Sequence, residues 1–227
     1  MKQGQTALRL LWALGYDASI IDHKESGRTA ISKGFLDYAK EVAIENISIF
    51  KSLLSNELPL IGIEPSAILT FRDEYIDLTR GEMKENAKTL AKHVFTMEEF
   101  LTNEMEKGHI TASQFTDDKR LIKFHGHCHQ KALSSQVPSK KILSLPANYE
   151  VQIIPSGCCG MAGSFGYEKE HYDVSMQVGE LVLFPTIRKQ DADVIITAPG
   201  TSCRHQIKDG ANRNAKHPVE VLYEALV

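Results

Sequence analysis

The four cysteines of this 227-residue chain are the residues whose type and spacing most suggest chemistry. They lie in the second half of the sequence, at Cys128, Cys158, Cys159 and Cys203. In a reducing compartment, clustered cysteines indicate metal binding or thiol catalysis more than disulfides. Thiolates favour zinc, copper(I) or iron–sulfur centres. The four thiols are therefore candidate metal ligands.

Each candidate ligand follows a segment whose apolar residues predict a buried strand. These predicted strands cover residues 121–125, 149–154 and 194–197. The carboxyl ends of strands in an open α/β sheet form one edge, so three strand ends can bring four sulfurs together. The positive ends of the following helices favour thiolate over thiol.

Glycines surround the adjacent pair Cys158 and Cys159, at Gly157, Gly160, Gly163 and Gly166. Glycine allows positive φ and a close approach of backbone N–H groups, which would stabilise a thiolate-ligated cluster. There are two alternatives to a metal site. The cysteines would be buried without a chemical role, or Cys158 and Cys159 would form a strained vicinal disulfide. Four of four cysteines at strand ends argue against simple burial.

Histidines crowd the same region, at His125, His127, His129 and His205. Any one of them could replace a thiolate or donate to a sulfur. If this stretch is extended, its side chains alternate, and His127 and His129 then do not share the direction of Cys128. We therefore expect His127, His129 and His205, together with Gly160, to support the ligands rather than to bind the metal.

The rest of the chain alternates between strand and helix patterns. Apolar spacing predicts helices over 4–15, 30–54, 82–107, 169–188 and 218–227, and further strands over 16–21 and 58–63. A helix is also expected to start near Pro65 and another at Ser202. This order predicts an α/β fold, with two pseudo-repeated Rossmann-like units, mainly parallel sheets and flanking helices.

The two halves of the sequence resemble each other. Ser26 aligns with Cys159 and Ala67 with Cys203, at intervals of 41 and 44 residues (67 − 26 and 203 − 159). We expect an internal duplication, with a first unit over 1–115 that has lost its cysteines and a second over 116–227 that carries the site. The first half lacks a strand like 121–125, and we expect the chain to be a fragment that starts inside a longer protein.

Composition excludes several classes of function. The formal net charge is −3, with acidic and basic residues mixed, so nucleic acid is not an expected partner. No apolar run reaches the roughly 18–20 residues needed to cross a bilayer. The apolar run at Leu10–Leu14 is too short for the core of a signal peptide. We expect a cytoplasmic protein without a membrane span.

Three motifs together resemble a known family, the cysteine-rich CCG domain. They are His127-Cys128-His129-Gln130, Cys158-Cys159-Gly160 and Ser202-Cys203-Arg204. The domain occurs, usually in two copies, in the iron–sulfur subunit of glycolate oxidase, the C subunit of anaerobic glycerol-3-phosphate dehydrogenase and the B subunit of heterodisulfide reductase. In the first half, Ser26-Gly27-Arg28 and Glu64-Pro65-Ser66 are similar to fused FAD-linked oxidases. The resemblance covers nearly the whole chain.

The resemblance implies an electron-transfer module. A flavin elsewhere would oxidise a 2-hydroxy acid such as lactate or glycolate, and iron–sulfur centres would carry the electrons to an acceptor. The implied partners are flavin-binding and ferredoxin-like domains or subunits of the same oxidoreductase, attached through that complex at the inner face of the membrane. The chain has no glycine-rich flavin fingerprint, so FAD and the substrate site would lie on the missing part, and whether this chain alone is an enzyme stays open.

One departure from the family pattern limits the cofactor. The family pattern ends in Cys-x-x-Cys, but Gly200 stands at the first of these two positions. Four thiolates remain where five are usual, and four suffice for one [4Fe–4S] cluster. A zinc ion in a structural docking module fits the same count. Thiol catalysis, with Cys159 as nucleophile and a nearby histidine as base, is a third interpretation.

Overall fold

A computed structural model describes residues 2–227 as alternating helices and strands. Its α-helices are α1 (Lys2–Ala13), α2 (Arg28–Ser32), α3 (Leu36–Phe50), α4 (Pro65–Thr70), α5 (Glu74–Leu78), α6 (Gly81–Ala91), α7 (Met97–Glu106), α8 (Cys128–Leu133), α9 (Val137–Leu143), α10 (Tyr172–Leu181), α11 (Leu183–Arg188), α12 (Thr201–Ala211) and α13 (Pro218–Glu224). The strands are β1 (Leu60–Gly62), β2 (Val94–Thr96), β3 (Arg120–Phe124), β4 (Tyr149–Ile153) and β5 (Ile195–Thr197). None of these helices is long and apolar enough to cross a membrane.

The strands form two parallel sheets, which confirms the predicted α/β class. One sheet has the order β4-β3-β5, and the other consists of β1 and β2. In the three-stranded sheet the last residue of β3, Phe124, pairs with Ile153 on one side and Thr197 on the other. The three strands therefore end level with one another, at the same edge.

The chain divides by packing into two compact units. One comprises Ile20–Met97, and the other comprises the described residues up to Ser19 together with Glu98–Val227. The three-stranded sheet lies in the second of these, and the β1-β2 pair lies in the first. The boundary drawn after residue 115 concerns duplication of the sequence rather than packing, and it stays a prediction.

Each of the two units contains a glycine with positive φ that lies against a following helix. Gly27 and Gly160, which the alignment pairs, both have positive φ, at 76° and 105°. A Cβ on either glycine would face the backbone of a following helix, at 3.6 Å from the Ala39 oxygen or 2.0 Å from the Ser175 oxygen. In each unit the next strand, β1 or β5, then leads within a few residues into a helix.

Two predictions failed in the first half of the chain. No strand forms over residues 16–21, where Ile20 and Ile21 stay exposed without a paired neighbour strand. The helix expected over 82–107 is interrupted by β2, whose Val94-Phe95-Thr96 run is β-branched and aromatic and pairs with β1.

Two long predicted helices are divided. The helix over 30–54 breaks at Gly34, whose φ of 80° lies outside the helical region, into α2 and α3. The helix over 169–188 starts only at Tyr172 and breaks at Val182. Pro185 causes the second break, because it has no N–H to donate to the carbonyl four residues earlier.

Helices α10, α11 and α12 pack around the ring of Phe184, which is fully buried. Two glycines make room for it. A Cβ on Gly179 would lie 2.2 Å from Phe184 Cζ, and a Cβ on Gly210 would lie 2.1 Å from it. The close packing of these helices therefore requires that neither position has a side chain.

Substituting either glycine by alanine should therefore destabilise the protein. We expect Gly179→Ala and Gly210→Ala each to cost about 1–3 kcal/mol, because the added methyl group overpacks the contact with Phe184. Urea denaturation followed by circular dichroism measures this loss. Gly4→Ala is the matched control, since nothing lies within 4 Å of its Cβ position in α1. It should be neutral or stabilising, and equal losses in all three variants would contradict the packing argument.

A buried carboxylate joins the N-terminal segment to α7. Glu104 is 7% exposed and accepts hydrogen bonds from Tyr16 Oη at 2.9 Å and Lys107 Nζ at 2.7 Å, while His109 Nδ1 lies 2.8 Å away. Burial by itself raises the pKa of Glu104, but these three partners outweigh it and lower the pKa to about 2. The ionised form is thus the one that the fold stabilises.

The contribution of Glu104 to stability should depend on pH. Its pKa is lower in the folded chain than the ordinary value of 4.5, so the stabilisation is present above pH 4.5 and disappears as the pH falls towards 2. Glu104→Gln should cost roughly 1–2 kcal/mol at pH 6 and almost nothing near pH 2. Glu85→Gln, at an exposed ion pair with Lys88, is the control. A cost for Glu104→Gln that does not vary with pH would refute this account.

Candidate metal centre

The level strand ends bring the predicted ligands to one edge of the three-stranded sheet. After β3 the chain turns at His127 and places Cys128 at the first position of α8. After β4 it enters the loop that carries Cys158 and Cys159. After β5 it turns at Gly200, and Cys203 lies in the first turn of α12. All four cysteines are free thiols.

The four sulfurs form a continuous hydrogen-bonded row. The Cys158 sulfur accepts from the thiols of Cys128 and Cys159, which lowers the pKa of Cys158 although burial opposes the change. Donation to Cys158, together with burial, raises the pKa of Cys128. Cys158 therefore ionises before its neighbour.

At the other end of the row, Cys203 and Cys159 show the same pair of opposite pKa shifts. Cys203 is buried, and its sulfur accepts from Cys159 and from His125, which lowers the pKa of Cys203 against the effect of burial. The pKa of Cys159 is raised because its thiol donates to Cys158 and Cys203 and is itself buried. Along the row, the pKa is thus lowered at the two sulfurs that accept hydrogen bonds, Cys158 and Cys203, and raised at the two that donate them, Cys128 and Cys159.

Backbone N–H groups of the glycine-rich loop also point at the sulfurs. The Gly160 N–H donates to Cys158 Sγ at 3.3 Å. The N–H of Ala162 hydrogen-bonds to the same sulfur, and that of Met161 to Cys159. Gly160 is required here, because its φ is 105° and a Cβ would lie 2.0 Å from the Ser175 oxygen. These donors stabilise negative charge on the sulfurs.

Lys131 holds the same loop from the other side. It lies one turn after Cys128 in α8, and its Nζ donates to the carbonyl oxygens of Ser156 and Gly157, both at 2.6 Å. Burial lowers the pKa of Lys131, while the four nearby thiols act in the opposite direction. Lys131 is therefore both a clamp on the loop and a positive charge beside the sulfurs.

Two histidines lie against the thiols from the β3 side. His125 is 1% exposed, its Nδ1 is 2.7 Å from Ser156 Oγ, and it groups with Cys159 and Cys203 so that one ligand atom from each lies within 4.8 Å of the others. His127 forms a similar group with Cys128 and His129. His127 Nδ1 lies 3.9 Å from Cys128 Sγ.

Of the four residues that were expected to support the metal ligands, three lie beside the thiols and one lies at the surface. His127, His129 and Gly160 lie beside the thiols. His205 is exposed, and its Nδ1 is 2.9 Å from Tyr167 Oη. His205 belongs to neither of the two close groups of possible ligands within the described residues.

The donor set fits a metal that prefers sulfur. Four thiols in one row supply the number of ligands that a [4Fe–4S] cluster or a tetrahedral zinc ion requires. The backbone donors and Lys131 would offset the charge of four thiolates. Within the described residues, carboxylates take no part in either close group of possible ligands, which disfavours magnesium and calcium.

Comparison with known proteins agrees with this geometry. Residues 122–208, which include β4, β5 and all four cysteines, match the family described as the cysteine-rich domain, CCG. The match covers 87 of the 227 residues (208 − 121).

Two kinds of relatives match nearly all of the chain. The C subunit of anaerobic glycerol-3-phosphate dehydrogenase from Escherichia coli strain K12 is 26% identical over 225 residues, which cover 98% of this chain and 55% of the relative. D-2-hydroxyglutarate dehydrogenases from Pantoea ananatis and Escherichia coli strain K12 are 26% and 25% identical over 220 residues, or 96% of this chain and 20% of each relative. The chain therefore spans about half of the first relative and a fifth of the others.

The four thiols at this site were predicted from the sequence, but two polar residues around them were not. Lys131 and Ser156 were not expected at the site, and His125 was named only among nearby histidines. A signal existed for Lys131, since a residue three positions after Cys128 in a helix lies on the same face. The contact between Ser156 and His125 joins two separate loops, so no local pattern indicates it.

Removing the Lys131 ammonium should loosen the glycine-rich loop. We expect Lys131→Met to raise amide hydrogen exchange over residues 157–163 of the metal-free, reduced protein roughly 30-fold, since two hydrogen bonds of about 1 kcal/mol each are lost. Mass spectrometry of proteolytic peptides measures this. Lys141→Met is the control, because Lys141 only forms a surface ion pair with Glu106. Unchanged exchange in Lys131→Met would refute the clamp.

Proposed function

We propose that this chain is an iron–sulfur electron-transfer module of a larger flavin-linked dehydrogenase. The observation that carries the proposal is the unbroken row of four sulfurs, Cys128, Cys158, Cys159 and Cys203. One nucleophilic cysteine would need a base and a substrate cavity but not three further thiols. A shared centre uses all four.

The four thiolates would bind a [4Fe–4S] cluster, which supplies one-electron redox chemistry when bound. The surroundings suit this cluster better than a purely structural zinc ion. Backbone donors from Gly160 and Ala162 to Cys158 are contacts of the kind that adjust the potential of an iron–sulfur cluster. The chain's own residues hold the sulfurs, supply hydrogen bonds to them and keep water away from Cys159 and Cys203, which are 4% and 1% exposed.

The substrate reaction would take place on another part of the protein or complex. The relatives are named as dehydrogenases of glycerol 3-phosphate and D-2-hydroxyglutarate, and this chain corresponds to 55% or 20% of their lengths. We propose that a flavin-binding part oxidises a 2-hydroxy acid and that electrons then reach the thiolate-bound cluster through ferredoxin-like centres. The free thiols favour a reducing compartment, so we assign the module to the cytoplasm, associated with the membrane only through its complex.

The first repeat, residues 1–115 of the proposed duplication, would have a structural role and would bind no metal. It contains no cysteine. Its loop at the position of the CCG motif is held instead by Asn46, whose side-chain N–H group donates to the carbonyl oxygens of Lys24 and Glu25 and to Tyr75 Oη. Arg28 adds an ion pair with Glu74. We propose that this repeat is a scaffold that contacts the flavin-bearing partner.

Metal and sulfide analysis tests the function directly. After anaerobic reconstitution, we expect about four iron and four sulfide per chain, with a brown chromophore that bleaches on reduction. Cys159→Ser and Cys203→Ser should each lose most of the iron and the colour. Ser26→Ala, at the position in the first repeat that matches Cys159, should retain both.

The alternatives give different results in the same analysis. One zinc per chain and no colour would indicate a structural docking module. Absence of any bound metal after reconstitution would refute the electron-transfer proposal, and rapid selective alkylation of Cys159 would then favour thiol chemistry.

A further inference from the structure

Position 200 has no side chain although its backbone would accept one. Gly200 precedes α12 with φ −73° and ψ 133°, an ordinary extended conformation for any residue. An added Cβ, however, would lie 2.3 Å from His127 Cδ2 and 3.2 Å from His127 Nε2. The glycine is therefore required by the imidazole ring that faces it, and not by the backbone.

The same space borders the thiols. The Cβ position of residue 200 is 3.2 Å from Cys203 Sγ, as close as it is to His127 Nε2. A residue at this position precedes Cys203 by three, which is the spacing at which two cysteines at a helix start bind one metal or cluster. A side chain at position 200 would thus point into the site, and the ring of His127 occupies that volume.

Hydrogen bonding decides which nitrogen of His127 carries the proton. His127 Nδ1 accepts the backbone N–H of His129 at 3.1 Å, a contact that caps the start of α8. An N–H group can only donate, so Nδ1 has no proton in this arrangement and the neutral ring carries it on Nε2. The nitrogen on the side of Gly200 and Cys203 is therefore a donor and not a free lone pair.

We propose that His127 takes the place of a side chain at position 200, limits the centre to four thiolates and adds an imidazole N–H donor. The proposal rests on the proposed function, because it concerns the same metal centre. Its effect is electrostatic as well as steric. A neutral donor beside Cys203 replaces what could have been a fifth negative ligand, so the centre has a less negative total charge and a higher reduction potential than a five-thiolate one.

The steric part can be tested on the reduced, metal-free protein. Gly200→Ala should lower the thermal midpoint by roughly 4–8 °C, because the methyl group collides with the ring. In the double variant His127→Ala with Gly200→Ala, the second substitution should cause little further loss beyond that of His127→Ala alone. Gly157→Ala is the matched control, since nothing lies within 4 Å of its Cβ position in the neighbouring loop. A Gly200→Ala protein as stable as the unaltered chain would overturn the proposal.

The donor part has a readout that needs no metal. Long-range ¹H–¹⁵N correlation spectra of the imidazole rings distinguish the two neutral tautomers, and we expect His127 to have its proton on Nε2. A proton on Nδ1 would overturn the assignment of His127 as a donor. With iron bound, His127→Ala should shift the reduction potential to a more negative value, and an unchanged potential would also contradict the proposal.

A fifth thiolate can then be introduced. In the double variant His127→Ala with Gly200→Cys, we expect the added thiol and the four native thiols all to become protected from iodoacetamide when iron is bound. An added thiol that reacts freely would show that position 200 does not face the centre. If the unaltered chain takes up no iron, the proposed function fails, while the stability and tautomer measurements still decide the inference about His127.

Discussion

The parallel register of β4, β3 and β5 is the constraint on which the site depends. Phe124 pairs with both Ile153 and Thr197, so the three strands end level. A shift of one strand by two residues would keep its buried face but move its loop by about 7 Å along the strand axis, further than the reach of a metal–thiolate bond of about 2.3 Å. Sheet pairing therefore sets the distances between sulfurs that are up to 75 residues apart in sequence (203 − 128).

Strands that end level with one another do not by themselves fix where the sulfurs point. The loop between β4 and α10, which carries two of the thiols, is held in place by further contacts. Gly160 packs against the carbonyl of Ser175, and Gln206 of α12 donates to that same carbonyl at 3.1 Å. Lys131 of α8 binds the other end of the loop. Elements that carry Cys128 and Cys203 thus also position the loop that carries the remaining two thiols. In the first half of the chain, the loop at residues 24–28 is held by the side-chain amide of Asn46, which donates to the carbonyl oxygens of Lys24 and Glu25.

The sequence predicted the convergence of the thiols because that depends on strand order and strand ends, which apolar runs and the parallel α/β rhythm indicate. It did not predict the roles of His125 and Ser156, whose contact depends on where two loops cross. Helix ends were predicted wrongly where a single residue interrupts a helix although the helical spacing of apolar residues continues, as Gly34 and Pro185 do. β2 was not predicted, because a strand of three residues between two helices is too short to show the alternation of apolar and polar residues that indicates a strand. Gly200 was interpreted only as a missing ligand, since the ring that fills its place comes from another strand end.

The hydrogen bonds along the row of sulfurs have a further consequence for metal binding. They lower the pKa of Cys158 and Cys203 and raise the pKa of Cys128 and Cys159, because each hydrogen bond between two sulfurs favours the thiolate of the acceptor and the thiol of the donor. In the metal-free protein, protons therefore lie between the sulfurs, where a bound metal would lie. Binding of a centre that uses all four thiolates releases these protons into solution, so metal affinity depends on pH.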